Sequence, residues 1–107
     1  MGLSQYQIVL VNLNPTIGSE IKKPRPYVII SPNEMNDNLR TIIIAPMTTT
    51  SKNYPTRLKI KHNKKDGWVV LDQIRTIDKQ RVIKVLGELS NTEIVKLKSI
   101  LKETFVD

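Results

Sequence analysis

The chain has 107 residues, of which 39% are hydrophobic and 25% charged, a composition that suits a globular protein. We expect one domain over residues 1–107, because most domains contain about 50–250 residues. The absence of cysteine excludes disulfides, cysteine metal sites and thiol catalysis. A formal net charge of +7 indicates a polyanionic partner.

No part of the sequence resembles a targeting or membrane segment. The first residues lack the basic start and long apolar stretch of a signal peptide. The longest apolar runs, such as Ile42–Ala45, are far shorter than the roughly 18 residues of a membrane helix. We therefore expect a cytoplasmic protein with no membrane partner.

Strand patterns dominate the chain up to residue 86. Strands are predicted where β-branched and aromatic residues cluster or where apolar and polar residues alternate: Gln7–Leu13, Tyr27–Ile30, Thr41–Ala45, Leu58–Lys61, Trp68–Leu71 and Arg81–Leu86. The dipeptide Asp66-Gly67 predicts a hairpin turn between the fourth and fifth runs. Gly87 is expected to end the last strand.

Two helices are predicted from their start signals. Ser31 has the features of an N-cap, because Pro32 follows at the first helical position and Glu34 lies three residues after the cap. This pattern predicts a short helix that reaches about Asn38. Ser90 and Glu93 have the spacing of a capping box, and an apolar stripe follows at helical spacing: Ile94, Leu97, Leu101 and Phe105. A β-rich chain closed by one amphipathic helix predicts a mainly β fold with helices (α+β), as a small barrel or strongly curved sheet.

The segment from Leu13 to Pro26 is a long polar stretch with no regular periodicity. Irregular segments of this length in compact domains are usually functional or mobile. Within it, Arg25 lies between Pro24 and Pro26, which restrict the backbone and direct the side chain. An ordinary surface cation is the alternative interpretation of Arg25.

Two further polar segments contain groups that suit nucleic acid. Thr48 and Thr49 belong to a run of four hydroxyl residues, which either satisfy loose backbone groups or hold phosphate oxygens. Asp72 and Gln73 carry the hydrogen-bonding groups that read base edges. Turn capping is the alternative interpretation of Asp72 and Gln73. When these two residues are considered by themselves, turn capping is favoured.

Basic residues are concentrated in the middle of the chain. Residues 38–85 contain eleven basic and three acidic side chains, and Arg57, Lys59 and Lys61 alternate with apolar residues, which places three cations on one strand face. A solvated sheet face and a phosphate-binding patch both fit this pattern. His62 follows in the same basic run and is expected to be an exposed surface residue, and a general base is the alternative interpretation.

Four stretches in register carry a resemblance to a known family. They are NPTIGSE at 14–20, RPYVIIS at 25–31, IIIAPMTTT at 42–50 and VVLDQIRTIDK at 69–79, with LGELS following at 86–90. In their order and spacing, from about Ile8 to the C-terminus, the chain resembles the MazF/PemK family of toxin endoribonucleases.

The resemblance implies a small SH3-like β-barrel with a C-terminal amphipathic helix, acting as a homodimer. It implies sequence-specific cleavage of single-stranded RNA, including mRNA, which would inhibit translation and growth. Cleavage would need no metal or other cofactor and would leave a 2′,3′-cyclic phosphate and a 5′-hydroxyl. The implied protein partner is a cognate antitoxin, with DNA contacted only indirectly through the antitoxin complex.

The resemblance also assigns the site residues. By position, the family's catalytic arginine and threonine correspond to Arg25 and Thr48. The RNA-contacting residues are expected at Asn14, Gly18, Ser19, Glu20, Asp72 and Gln73, and Thr49 joins them from the hydroxyl run. The chain departs from the family at Lys23-Pro24, where a glycine usually precedes the Arg-Pro pair, and we expect a stiffer loop there.

The chemistry expected of these residues is charge stabilisation. An arginine is a poor general base because its pKa exceeds about 12, so Arg25 would stabilise the charged phosphate while Thr48 donates to a phosphate oxygen or orients the attacking hydroxyl. Proton transfer would fall to water or be assisted by Glu20. Modest turnover is the expected result.

Two other function classes compete with ribonuclease activity. A gyrase-poisoning toxin on the same barrel would not need Arg25 or Thr48. A non-catalytic RNA-binding module is favoured by the basic segment but disfavoured by the 5% aromatic content, which provides few stacking platforms for bases. Ribonuclease activity explains all three polar segments together.

Overall fold

The computed structural model describes residues 2–13, 24–50, 54–62 and 65–106. Within these ranges the chain forms, in order, β1 (Gln7–Val11), β2 (Arg25–Ile29), α1 (Asn33–Asn38), β3 (Thr41–Thr48), β4 (Arg57–His62), β5 (Lys65–Val70), β6 (Arg75–Asp78), β7 (Val82–Glu88) and α2 (Asn91–Phe105). Short 3₁₀ turns at Leu71–Gln73 and Lys79–Arg81 flank β6. The predicted mainly β fold with helices is confirmed.

The strands form one antiparallel sheet that curls into a half-barrel. The strand order is β4-β5-β3-β2-β1-β7, and β6 pairs with β3 outside this path. Along one side, β3 pairs with β6 over Thr41–Ile44 and then with β5 at Met47 and Thr48. This exchange of partners coincides with Pro46, which has no N–H to donate to a ladder. The predicted third strand therefore continues through Pro46 to Thr48 instead of ending at Ala45.

Apolar side chains are buried on both faces of the sheet, because successive residues of a strand point to opposite sides. Val9, Ile29 and Ile44 belong to the cluster on one face. The cluster on the other face includes Ile8 and Val28 and is covered by α2, whose apolar stripe packs on it: Ile94, Leu97, Ile100 and Leu101. Phe105, the last residue of the stripe, is 54% exposed because it lies one turn beyond the part of α2 that packs on the sheet.

The start of α1 differs from the prediction. The helix begins at Asn33, and Pro32 is its N-cap without a side-chain cap. Ser31, predicted as the cap, is buried, and its Oγ donates to Asn36 Oδ1 and accepts from the Ile43 N–H at 3.0 Å. The Ser31 hydroxyl therefore joins α1 to β3 and is not available as a cap.

Two predicted strand boundaries are wrong because they place glycines in turns. Asp66 and Gly67 lie within β5, where they pair with Lys61 and Ile60, and the β4–β5 connection falls between His62 and Lys65. Gly87 lies within β7 and pairs with Ile8. In both cases the cross-strand register, which is not visible in a local motif, decides the boundary.

The predicted capping box of α2 is present, and it gives a test of helix stability. Ser90 Oγ accepts from the Glu93 N–H at 3.2 Å, and Glu93 Oε1 accepts from the Ser90 N–H at 2.8 Å. Ser90→Ala should lower the free energy of unfolding by about 1 kcal/mol, measured by urea unfolding at one protein concentration. Ser99→Ala, at an exposed position of the same helix, is the control and should not destabilise, because alanine is the best helix former. An equal loss in both variants would contradict the capping role.

Candidate functional site

Several strands end at the same edge of the half-barrel. Because neighbouring strands are antiparallel, β2 and β5 begin where β3 and β4 end. A cleft of about 490 Å³ lies over this edge. Its lining comes from the start of β2, the end of β3 and the β4–β5 hairpin: Arg25, Pro26, Met47, Thr48, Thr49, His62, Asp66 and Gly67. Met47 and Thr48 are consecutive residues of β3 and both line the cleft. Because successive residues of a strand point to opposite faces, the cleft lies over the strand ends and receives lining from both faces of the sheet.

Arg25 and Thr48, the two predicted catalytic residues, line this cleft. The β2–β3 register pairs Tyr27 with Pro46, and its continuation by two residues sets Arg25 opposite Thr48. Side chains directly opposite each other in antiparallel strands share a face, with Cβ atoms about 4.5–5.5 Å apart. Arg25 is exposed, as is Thr49, the next residue of the hydroxyl run. A ligand entering the cleft therefore meets a guanidinium group and two hydroxyl groups, and the Asp66 carboxylate also belongs to the lining.

The Thr48 hydroxyl is held by backbone groups two residues ahead. Its Oγ1 donates to the Thr50 carbonyl oxygen at 3.1 Å and accepts from the Thr50 N–H at 3.2 Å. A hydroxyl has one donor hydrogen and two acceptor lone pairs. In this arrangement the hydrogen is used and one lone pair remains, so Thr48 is set to accept a hydrogen bond from a substrate hydroxyl.

The hairpin contributes cleft residues that the sequence analysis did not predict. His62, expected to be exposed, is half-buried and lines the cleft. A Cβ atom on Gly87 would lie only 3.2 Å from His62 Cε1, so the imidazole packs directly on the β7 backbone. Gly67 is buried in the cleft lining, where the absence of a side chain leaves space. The position of His62 depends on how β4 pairs with β5. Because the hairpin turn was predicted at Asp66-Gly67, this pairing was not predicted.

Glu93 connects the end of β4 to α2. Besides its capping bond, its second carboxylate oxygen accepts from the Lys61 N–H at 3.0 Å. This bond satisfies an outward backbone donor of β4, which has β5 as its neighbour in the sheet path. The residue preceding His62 is thereby fixed by a helix as well as by the hairpin.

Asp72 and Gln73 do not line this cleft. They lie in the 3₁₀ turn after β5, at the opposite end of that six-residue strand, which spans roughly 3.3 Å per residue. Asp72 Oδ1 accepts from Thr56 Oγ1 at 2.9 Å and lies 3.6 Å from Arg57 Nε. The other predicted RNA-contacting residues, Asn14, Gly18, Ser19 and Glu20, lie outside the described residues.

The basic face of β4 lies beside the cleft. Lys59 and Lys61 are exposed and alternate with buried apolar residues, as predicted. Lys59 Nζ lies 5.9 Å from the centre of the Trp68 ring, and Trp68 pairs with Thr48 across β5 and β3. Trp68 is half-buried. A cation and an aromatic ring therefore flank Thr48 on the side away from Arg25.

Metal-binding clusters and membrane-spanning helices are both absent from the described part of the chain. No three His, Cys, Asp or Glu side chains there are grouped so that they could hold a metal ion. None of the helices in that part is long and apolar enough to cross a membrane.

The curled sheet, the C-terminal helix and the polar cleft at the strand ends define a small half-barrel protein. The chain belongs to the family of PemK-like, MazF-like toxins of type II toxin–antitoxin systems, whose model matches residues 4–105. Endoribonuclease MazF of Staphylococcus epidermidis is 34% identical over 100 residues, which cover 88% of this chain and 83% of that one. The family resemblance and the endoribonuclease class are confirmed, and the gyrase-poisoning and non-catalytic alternatives are not favoured.

Two solved structures confirm the fold. The MazE–MazF structure from Deinococcus radiodurans (form II) superposes with a TM-score of 0.82 at 23% identity, covering 97% of this chain and 96% of that one. An endoribonuclease in complex with its cognate antitoxin, from a mycobacterial species, superposes with a TM-score of 0.81 at 22% identity, covering 94% and 92%.

The contact between Arg57 and Asp72 predicts a small energetic coupling. Their side chains are 20% and 35% exposed, so solvent screens the ion pair, and a double-mutant cycle with Arg57→Gln and Asp72→Asn should give about 0.2–1 kcal/mol. Urea unfolding of the four proteins measures it. A cycle of Arg57→Gln with Asp78→Asn is the control, because the Asp78 carboxylate instead caps the Gln80 N–H. Coupling as large in the control would contradict a direct Arg57–Asp72 interaction.

Proposed function

We propose that the chain is the toxin of a type II toxin–antitoxin system and a sequence-specific endoribonuclease that cleaves single-stranded RNA, including mRNA, without a metal ion. The 2′-hydroxyl attacks the adjacent phosphate, leaving a 2′,3′-cyclic phosphate and a 5′-hydroxyl end. The loss of intact mRNA inhibits translation and growth. The observation that carries this proposal is that Arg25 and Thr48 line the same cleft.

Arg25 stabilises the charge that develops on phosphorus during attack. Its guanidinium group is planar and presents paired donors that match two phosphate oxygens. Because arginine stays protonated, it supplies positive charge at every stage of the reaction. Its backbone at the start of β2 is paired to Val11 of β1, which anchors the base of the side chain at the cleft.

Thr48 orients the attacking group. Since its hydroxyl hydrogen already bonds to the Thr50 carbonyl oxygen, its free lone pair accepts from the ribose 2′-hydroxyl. Of the two roles expected from the sequence, orientation of the 2′-hydroxyl is the one that these hydrogen bonds support. Alignment of this kind lowers the entropic part of the barrier.

The RNA strand also contacts residues outside this pair. Thr49 is exposed in the cleft and donates to a phosphate oxygen, and the exposed Lys59 and Lys61 provide positive charge along β4. Asp72 and Gln73, at the other end of the hairpin, contact bases farther along the strand. The RNA-contacting set is completed by four residues that precede Arg25 in the sequence: Asn14, Gly18, Ser19 and Glu20.

The toxin acts in the cytoplasm as a homodimer, is neutralised by a cognate antitoxin, and meets DNA only through the complex with that antitoxin. Exposed apolar side chains on β7, at one end of the strand order, support self-association: Ile83, Val85 and Leu86. The antitoxin partner is supported by the similarity to solved structures of a MazE–MazF pair and of an endoribonuclease with its cognate antitoxin.

Arg25→Ala should lower the rate of RNA cleavage by roughly 10²–10³-fold, because one preorganised donor group at the charged phosphate is lost. The assay follows cleavage of a long unstructured RNA in EDTA, with the fragment ends mapped and their chemistry determined. Arg40→Ala, at an exposed arginine outside the cleft lining, is the control. Wild-type rates in Arg25→Ala with unchanged RNA affinity would show that the catalytic arginine lies elsewhere.

Thr48→Val should reduce kcat by at least about tenfold with little change in KM, because the lost hydrogen bond aligns the attacking hydroxyl. Thr48→Ser retains the hydroxyl and should retain most of the activity. Single-turnover cleavage of a short RNA that contains one mapped site measures both variants. Equal activity in the valine and serine variants would contradict the role of the hydroxyl.

A further inference from the structure

We propose that Trp68 is a stacking platform for one base of the RNA, next to the site of cleavage. This inference rests on the proposed function and adds to it a subsite for a nucleobase, which neither Arg25 nor Thr48 provides. Trp68 is the only tryptophan of the chain and lies half-buried in β5, directly after Gly67 of the cleft lining. Stacking on an aromatic face tolerates any base, because every base has a π-face.

The strand registers place Trp68 in one row with Thr48. Thr48 of β3 pairs with Trp68 of β5, and Trp68 pairs in turn with Lys59 of β4. Residues directly opposite each other in antiparallel strands share a face and have Cβ atoms about 4.5–5.5 Å apart. The indole is therefore the neighbour of the Thr48 side chain on β5, and Lys59 follows on the next strand.

Arg25 belongs to the same face of the sheet. The β2–β3 register joins Tyr27 to Pro46, and Arg25 and Thr48 each lie two residues from that pair. Because side chains alternate along a strand, residues two apart point to the same side. A ribose bound at Thr48 thus has a guanidinium group on one side for its phosphate and an indole on the other side for a base.

Trp68 points to the face of the sheet opposite to α2. Leu58, Ile60 and Val69 alternate with Lys59 and Trp68 along the hairpin, and these three apolar residues belong to the cluster on which α2 packs. The indole is therefore not part of the apolar layer beneath the helix. Its half-buried state leaves part of the ring open to a ligand on the face that carries Thr48.

The charges around Trp68 favour RNA as the ligand. The face that carries Trp68 presents three exposed cations, Arg25, Lys59 and Lys61, and one exposed carboxylate, Asp66. Phosphates on either side of a stacked base would meet these cations. A second copy of the chain, with a net charge of +7, would bring like charge to the same patch.

The contact between Lys59 and the indole is loose enough for a base to replace it. Lys59 Nζ lies 5.9 Å from the ring centre, at the outer limit of about 6 Å for a cation–π contact. Lys59 is exposed, and its flexible four-carbon stem lets the ammonium group move to a phosphate. The Tyr54 ring differs, because the Arg57 guanidinium lies closer to it, at 4.8 Å.

The fluorescence of the wild-type protein tests this subsite directly, because Trp68 is the only source of tryptophan emission. The probe is a short single-stranded RNA with one mapped cleavage site and a 2′-deoxy nucleotide at that site, so that it binds without being cleaved. Stacking should quench the emission in step with binding measured by filter retention. Among RNAs with one abasic residue at successive positions, one near the scissile phosphate should bind roughly 5–150-fold more weakly and should no longer quench.

Variants of Trp68 provide the second measurement. Trp68→Leu should bind the intact RNA more weakly by a similar factor, and the abasic residue at the identified position should cause no further loss, since no ring remains to stack on it. Trp68→Phe retains a smaller ring and should retain part of that loss. Tyr54→Leu is the control at another exposed aromatic residue, and it should keep both the quenching and the effect of the abasic residue.

Two results would overturn the stacking role: emission unchanged by saturating RNA, or an equal effect of each abasic residue in the wild type and in Trp68→Leu. Emission that responds only to dilution of the free protein would instead assign Trp68 to a contact between two copies. Cleavage is assayed separately. A wild type that cleaves no RNA would contradict the proposed function, and titration with the unsubstituted RNA would then decide the stacking role by itself.

Discussion

The position of β3 in the sheet is the constraint on which the rest of the molecule depends. This strand pairs with β2 on one side and with β6 and then β5 on the other, so it sets the register of all three neighbours. The pairing with β2 brings Arg25 to Thr48, and the pairing with β5 brings the β4–β5 hairpin to the same edge. A slip of one residue would turn every buried side chain of β3 towards the opposite face, and burial on both faces opposes such a slip.

Burial on both faces leaves the strand ends as the place for a polar site. Where α2 covers one face and a second apolar cluster occupies the other, charged groups near the middle of the sheet would be desolvated at a high cost. At the strand ends the backbone is still ordered by the sheet, while the side chains reach solvent. Arg25 and Thr49 are exposed there, yet each is attached to a strand or its immediate end. The cleft thus combines a rigid base with hydrated functional groups.

The elements specified by local signals could be predicted from the sequence. The capping box of α2 and the alternation along β4 depend on residues a few positions apart, and both predictions are confirmed. The boundaries of β3, β5 and β7 depend on pairing with distant strands, so Pro46, Gly67 and Gly87 were misread as breaks. β6 was missed because only Ile77 of its four residues is buried, which gives no clear period.

The same distinction applies to the site. Arg25 and Thr48 were predicted through their motifs and are brought together by the β2–β3 register. His62 belongs to no motif, and its local sequence, a basic run, is typical of an exposed hairpin. Its place in the cleft follows from the pairing of β4 with β5 and from the packing of the ring on Gly87, which is distant in the sequence. Non-local contacts of this kind cannot be read from the residues on either side of His62.

Charge stabilisation and proton transfer make different demands on the residues of this cleft. An arginine stabilises a phosphate because its proton is held too firmly to leave, and for the same reason it cannot accept the proton of a hydroxyl. The Thr48 hydroxyl hydrogen is already bonded to a carbonyl oxygen, so Thr48 can align a nucleophile but not remove its proton. Proton transfer is therefore left to water or to a group other than these two, while Arg25 supplies charge and Thr48 supplies alignment.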